Sequence, residues 1–213
     1  MFKLYGFPVS NYYNMVKLAL LHKGLAFEEI IMRPSQEQDY LSKSPMGKIP
    51  CLQTPDGFIS ETNVILDFLD EAYPDKALLP KEHFARAKVR ELSKSIELYV
   101  ELVARQLYRG IFFGETLSEE LKIKVRPELE KGVAALKCLL QFSPYAAGAQ
   151  LTQADLMLYY TANLADMVAK RAYGIDLATE VEGLRDWQQM MDNNPLVQQV
   201  NRDRDQALKS LAG

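Results

Sequence analysis

Three stretches of the chain carry residue types that could do chemistry: Gly47-Lys48-Ile49-Pro50, Glu61-Thr62-Asn63, and Ser10 after Pro8-Val9. Proline at position 50 withdraws one backbone donor. If the Ile49-Pro50 bond is cis, the amide and carbonyl of Ile49 turn outward, free to pair with an extended peptide. Glu61, Thr62 and Asn63 open a helical pattern, whose first N–H groups lack internal partners and whose dipole favours an anion. A peptide carboxylate fits there, and the neighbouring Glu61 carboxylate can pair with the amino group of the same ligand. The two ends together would clamp a small zwitterionic peptide. Ser10 precedes the helical run that closes at Lys23-Gly24, which puts a hydroxyl at a helix N-terminus, where an N-cap is its ordinary role.

The elements that must position these groups follow from the pattern. Cys51-Leu52-Gln53 and Gly57-Phe58-Ile59 flank Thr54-Pro55-Asp56-Gly57, and Asp-Gly is a strong hairpin signal. Val64, Ile65, Phe68, Leu69 and Ala72 then repeat at helical spacing until Tyr73-Pro74-Asp75. Before the hairpin, Phe2–Phe7 reads as a strand, Met15–Leu21 as a broad apolar helix, Phe27–Met32 as a second strand, and Glu37–Leu41 as a weak helix. The order is β-α-β-α-β-β-α, and the short links suggest a right-handed βαβ opening. Residues 1–78 form this first domain, 79–87 a linker, and 88–213 an all-helical domain.

In that second part Val89, Leu92, Ile96, Val100, Val103 and Leu107 make one stripe. Leu121, Val125, Leu129, Val133, Leu136 and Leu140 make another, so two long antiparallel helices are expected, turning at Gly114. Arg126-Pro127 predicts a kink, or a later start, in the second. Thr152 and Asp155 have capping-box spacing ahead of an apolar run from Leu156 to Val168, expected to be a central buried helix. Leu184–Met191 and Leu196–Leu211 follow as helices, with Pro195 at a first helical position.

Composition narrows the function classes. Hydrophobic residues are 48% and charged residues 25% of 213, ordinary globular values, and the net charge is −3. Residues 1–78 hold seven basic and ten acidic side chains and the remainder eighteen of each, so nothing favours nucleic acid or an anionic membrane. No run approaches a membrane span and no signal-peptide pattern opens the chain, so a cytoplasmic location is the expectation. Cys51 and Cys138 form no C-x-x-C and read as reduced, buried packing residues, while His22 and His83 have no partner at metal-ligand spacing. No metal is expected.

The run from Ser-Pro-Met-Gly-Lys-Ile-Pro-Cys-Leu through Ile-Ser-Glu-Thr-Asn-Val-Ile to Tyr-Pro and Leu78-Leu79-Pro80 resembles the glutathione-binding half of cytosolic glutathione transferases, of bacterial type. The capping box ahead of a central helix is a second match, far from the first. The resemblance implies an α/β thioredoxin-like N-terminal domain followed by an all-α domain, with glutathione as co-substrate. It implies a cis proline at Pro50, Ile49 pairing with the cysteinyl backbone of glutathione, and Glu61 with Thr62 at its γ-glutamyl end. Lys48, Asn63 and Gln36 are further candidate glutathione contacts.

In the serine- and cysteine-type classes of that family the active residue lies fourteen positions before the glycine matching Gly24, which is Ser10 here. Such an enzyme must lower the pKa of a thiol near ~8.5 so that the thiolate attacks. Ser10 is the candidate donor and Tyr5, a phenol on the first strand as in the tyrosine-type classes, is the runner-up. The Ser-Ser-Cys loop of the maleylacetoacetate isomerase branch is replaced by Val9-Ser10-Asn11-Tyr12, which argues against an isomerase role. A small hydrophobic electrophile would need an apolar pocket between the domains, with Phe7, Tyr12, Tyr99, Tyr108, Phe112 and Phe113 as candidates. The expected activity is conjugation of glutathione to such electrophiles. The alternatives on the same fold are a glutathione-dependent peroxidase or isomerase and a non-catalytic binding or scaffold protein. The family implies a homodimer.

Overall fold

The computed structural model describes residues 1–212, which divide into two compact units. One comprises residues 1–78 with 192 onward, and the other residues 79–191.

The first unit is built on four strands, β1 (Phe2–Gly6), β2 (Phe27–Ile31), β3 (Cys51–Thr54) and β4 (Gly57–Ser60), in the order β2-β1-β3-β4. β1 pairs parallel with β2 and antiparallel with β3, and β3 and β4 form the expected hairpin. The helices are α1 (Asn11–Lys23), the short α2 (Gln38–Leu41) and α3 (Thr62–Ala72). The expected β-α-β-α-β-β-α order is present. α1 ends as its sequence predicts, at Gly24 with φ +71 and the Gly24 N–H on the carbonyls of Leu20 and Leu21. Its apolar residues Met15, Val16, Leu18, Ala19 and Leu20 are buried with Leu4, Leu52, Ile65 and Leu69, which is the core of this unit. Lys23, a buried cation in the last turn of α1, reaches Asp70 of α3 at 2.8 Å and the carbonyl of Tyr73 at 2.8 Å.

The second unit is helical. α4 (His83–Ile96) runs into one π-helical turn, Glu97–Glu101, and then into α5 (Leu102–Arg105) and α6 (Tyr108–Phe113). The single long helix expected from the first stripe is thus a broken series, and it begins at His83, inside the stretch read as linker. α7 (Glu119–Leu139) runs through Pro127 rather than starting after it. α8 (Gln153–Tyr173) is the central helix, and Leu156, Met157, Leu158, Tyr159 and Tyr160 on it are all buried. Its start is organised by Asp155. One carboxylate oxygen accepts from the Thr152 N–H at 2.8 Å, and the other from the Ala146 N–H at 2.7 Å and the Trp187 indole at 3.0 Å. α9 (Leu177–Glu180) and α10 (Leu184–Asp192) follow.

The last helix, α11 (Pro195–Ala212), was expected with the helical domain, but its contacts place it in the first unit, against α1. Cys51 is buried as expected, whereas Cys138 is exposed on α7, contrary to the packing role read for it, because the apolar stripe of α7 passes through Leu136 and leaves position 138 outside.

Candidate active site

Strand register collects the candidate residues of the first unit. Tyr5 of β1 is opposite Cys51 of β3, which is opposite Ser60 of β4, so these three lie in one row across the sheet. β1 leaves that row toward Gly6 and Ser10, β3 enters it from Ile49-Pro50, and β4 leaves it toward Glu61-Thr62. β2 is parallel to β1 with Ile31 opposite Gly6, and the Met32 N–H reaches the Gly6 carbonyl at 2.9 Å, so the segment carrying Arg33 and Gln36 leaves from the same end. Residues some fifty positions apart in sequence therefore meet at one edge of the sheet.

Ser10 is the N-cap of α1, with extended backbone, and its Oγ accepts from the Tyr13 N–H at 3.3 Å. Its own N–H bonds the Phe7 carbonyl at 3.0 Å, and Asn14 Nδ2 donates to the Pro8 carbonyl at 2.8 Å, which fixes the loop from strand to helix. A hydroxyl has one proton and two lone pairs, so accepting from Tyr13 leaves its proton available to donate. The loop can pass this close to α1 because position 6 is glycine at φ +150, where a Cβ would overlap the Tyr13 ring.

The Ile49-Pro50 bond is cis. The loop before it is pinned at Lys48, whose carbonyl accepts from the hydroxyls of Tyr40 at 2.9 Å and Ser44 at 2.8 Å, while the Lys48 side chain is exposed. Gly47, at φ +64, lies so close to the backbone of Ser35 that a Cβ would collide with its carbonyl, and Gln36 Nε2 reaches the Met46 carbonyl at 3.2 Å. Gln36 thus belongs to the same loop cluster.

Glu61 is the N-cap of α3 with φ 70 and ψ 116, a left-handed backbone that a non-glycine residue rarely adopts. The Glu61 side chain makes no capping hydrogen bond to this helix start. Glu61 is exposed, Thr62 buried and Asn63 half-buried. A strained backbone at a helix N-terminus is the kind of outlier that clusters at ligand clamps.

Tyr5 is placed differently. Its hydroxyl donates to Gln53 Oε1 at 2.9 Å, toward the row of Lys3 and Gln53 and away from the loop edge, and its ring meets Phe58 edge-on. Phe7 carries the Arg33 guanidinium over its ring at 5.8 Å, and Tyr12 is half-buried beside Ser10. Tyr99, Tyr108 and Phe112 belong to the second unit. Tyr99 is exposed on the π-helical turn. Tyr108 is buried, edge-on to Phe112 and under the Arg105 guanidinium at 4.9 Å, and burial pushes its hydroxyl pKa up. Glu101, which the sequence reading did not single out, is wholly buried there and paired with Arg105 Nε at 3.0 Å.

Burial pushes the Cys51 thiol up to about 11, which keeps it protonated and unreactive beside Pro50. Among the described residues no cluster of His, Cys, Asp and Glu is arranged to hold a metal ion, and no helix is long and apolar enough to cross a membrane.

This geometry can be set beside known proteins. Residues 4–77 match the family model for the glutathione S-transferase N-terminal domain. A curated glutathione S-transferase of Pseudomonas putida is 47% identical over 208 residues, 98% of this chain and 94% of that one. The chain belongs to the glutathione S-transferase family. Another relative, glutathione S-transferase Z1 of Arabidopsis thaliana, is 32% identical over 73% of each chain. Among solved structures, a glutathione S-transferase from Pseudomonas fluorescens aligns with a TM-score of 0.76 at 28% identity, covering 92% of this chain and 96% of its own. A transferase homolog from Sulfitobacter, solved with bound glutathione, aligns with a TM-score of 0.78 at 21% identity, covering 95% and 97%, and supports the fold alone. The thioredoxin-like reading of the first unit and the family resemblance are both upheld.

Proposed function

We propose that this protein activates the thiol of glutathione and conjugates it to small hydrophobic electrophiles. The observation that carries the reading is the common row of Tyr5, Cys51 and Ser60, which brings Ser10, Ile49-Pro50 and Glu61-Thr62 to one edge of the sheet. In this reading the γ-glutamyl carboxylate takes the N–H groups at the start of α3 and the amino group pairs with Glu61. The Ile49 backbone takes the cysteinyl backbone, with Lys48, Gln36 and Asn63 beside it. The glutathione sulfur then lies at the start of α1, where the Ser10 hydroxyl donates to the thiolate and the helix dipole favours the negative charge.

For a haloarene, the thiolate forms a C–S bond, the carbon–halogen bond breaks, and halide departs with its electron pair. The thiol proton is released to solvent when the thiolate forms. Phe7 and Tyr12, flanking Ser10, supply apolar contact to the electrophile. Homodimerisation and a cytoplasmic location accompany the proposal as expectations of family membership.

The test is calorimetric titration with glutathione together with conjugation of chlorodinitrobenzene by the full chain and by Ser10→Ala. Micromolar to millimolar glutathione binding, and turnover that falls at least tenfold in Ser10→Ala, are expected. No glutathione binding by the folded parent would overturn the proposal, and unchanged turnover in the variant would remove Ser10 from it.

A further inference from the structure

Lys17 is a lysine within the apolar run of residues 15–21 in α1, with only 3% of its side chain exposed. An ammonium stripped of water needs three acceptors, one for each N–H. It has three: Glu29 Oε1 at 2.8 Å, Glu29 Oε2 at 2.7 Å and Asp203 Oδ2 at 2.8 Å. Glu29 is on β2 and Asp203 on α11, so the ammonium joins three elements of one unit. Glu29 also accepts a hydrogen bond from the hydroxyl of Tyr13, a residue with no exposed surface. Tyr13 is in turn the residue whose N–H bonds the Ser10 hydroxyl, and its ring is the one lying against Gly6.

We infer that Lys17 is a positioning residue for the Ser10 hydroxyl, acting through Glu29 and Tyr13, with Asp203 of the last helix as its second anchor. This rests on the reading of Ser10 as the group that activates the thiol. Lys17 touches no substrate in this account. It holds the Glu29 carboxylate where the Tyr13 hydroxyl can reach it, and Tyr13 then holds the first turn of α1 against the loop that ends at Ser10.

The weak point of this chain is the last bond. At 3.3 Å the Tyr13 N–H to Ser10 Oγ contact is long for an N–H···O bond, so a small shift of the first turn is enough to break it. Removing the ammonium leaves Glu29, about one third exposed, free to turn to solvent. The Tyr13 hydroxyl then loses its partner in a buried place, which forces α1 to adjust. Once the Tyr13 N–H no longer occupies a lone pair of Ser10, the hydroxyl is no longer oriented with its proton outward. The ionisable groups facing the ammonium and its partners are Tyr13 on α1, Glu29 on β2 and Asp203 on α11. Burial, followed by the Glu29 charge and hydrogen bond, raises the Tyr13 pKa, so its hydroxyl remains a donor throughout the pH range of an assay.

The test is the pKa of the bound glutathione thiol, followed by the ultraviolet absorbance of its thiolate during a pH titration. It would be measured in the full chain, Lys17→Met, Tyr13→Phe, the double variant Lys17→Met with Glu29→Gln, and Ser10→Ala. Lys17→Met and Tyr13→Phe should each raise the thiol pKa by about one unit, roughly tenfold less thiolate at neutral pH, with glutathione affinity within about twofold of the parent. The double variant removes the stranded charge and keeps an acceptor for Tyr13, so it should restore most of the shift. A direct effect of the Lys17 charge on the thiolate would not be restored, and that result would overturn the inference. If Lys17→Met fails to fold, Tyr13→Phe, which loses one oxygen, carries the test alone. An unchanged thiol pKa in a folded Tyr13→Phe, with a raised one in Ser10→Ala, would overturn this inference and leave the role of Ser10 standing. An unchanged thiol pKa in Ser10→Ala would overturn both.

Discussion

Glu61 combines two properties that a pair of substitutions can separate. Its backbone, at φ 70, is in the left-handed region, and its carboxylate stands at the start of α3 without capping it. An L side chain in that region costs about 1–2 kcal/mol, of which glycine's greater freedom in the unfolded chain returns roughly 0.5–1. Glu61→Gly relieves the strain and Glu61→Ala keeps it, so the glycine variant should be the more stable by about 0.5–1 kcal/mol. For a chain of this length that is a difference of about 1–4 °C in melting temperature. Both variants lose the carboxylate. A charge-assisted hydrogen bond to the ligand amine contributes about 1.5–3 kcal/mol, and solvent at this exposed position pulls the figure to the low end, so each should bind glutathione about tenfold more weakly. Thermal melts and calorimetric titration read the two effects independently. Glutathione affinities within twofold of the parent in both variants would refute the clamp. Equal melting temperatures for the alanine and glycine variants would refute the strain.

Three further predictions concern residues other than Glu61. Asp155→Ala strands the Ala146 and Thr152 N–H groups and the Trp187 indole, and should destabilise the fold by about 3–5 kcal/mol, read as a lower denaturation midpoint with unchanged kinetics in the protein that remains folded. Iodoacetamide at neutral pH should modify Cys138 and spare Cys51 until the chain unfolds, as mass spectrometry would record. Because the Cys51 thiol is raised to about 11 from an ordinary value of 9.0, the stability its burial supports is intact below pH 9 and falls as pH rises through 11. Cys51→Ala should flatten that alkaline loss in denaturant titrations.

What the sequence revealed and what it hid divide along physical lines. The hairpin at Asp56-Gly57, the glycine stop at Gly24 and the capping box at Thr152 are local devices, each decided within a few residues, and each was legible. The meeting of Ile49-Pro50 and Glu61 at one edge of the sheet was legible too, because they stand at the two ends of one hairpin, and a hairpin fixes where its ends go. The network of Lys17, Glu29 and Asp203 was not. A lysine within an apolar run reads as an interruption of the pattern, and its partners lie 12 and 186 positions away. The π-helical turn at Glu97–Glu101 was hidden because its apolar residues keep helical spacing on either side of it. The membership of α11 in the first unit was hidden because its amphipathic face names no partner. Cys138 was misjudged because burial follows the stripe of α7, and the residue lies just off it.

The central claim is that Ser10 lowers the pKa of the glutathione thiol, and a pH titration of thiolate absorbance in the binary complex tests it most directly. The account predicts a bound-thiol pKa clearly below the free value of about 8.5, returning toward that value in Ser10→Ala while glutathione still binds. A Ser10→Ala complex that titrates like the parent would contradict it.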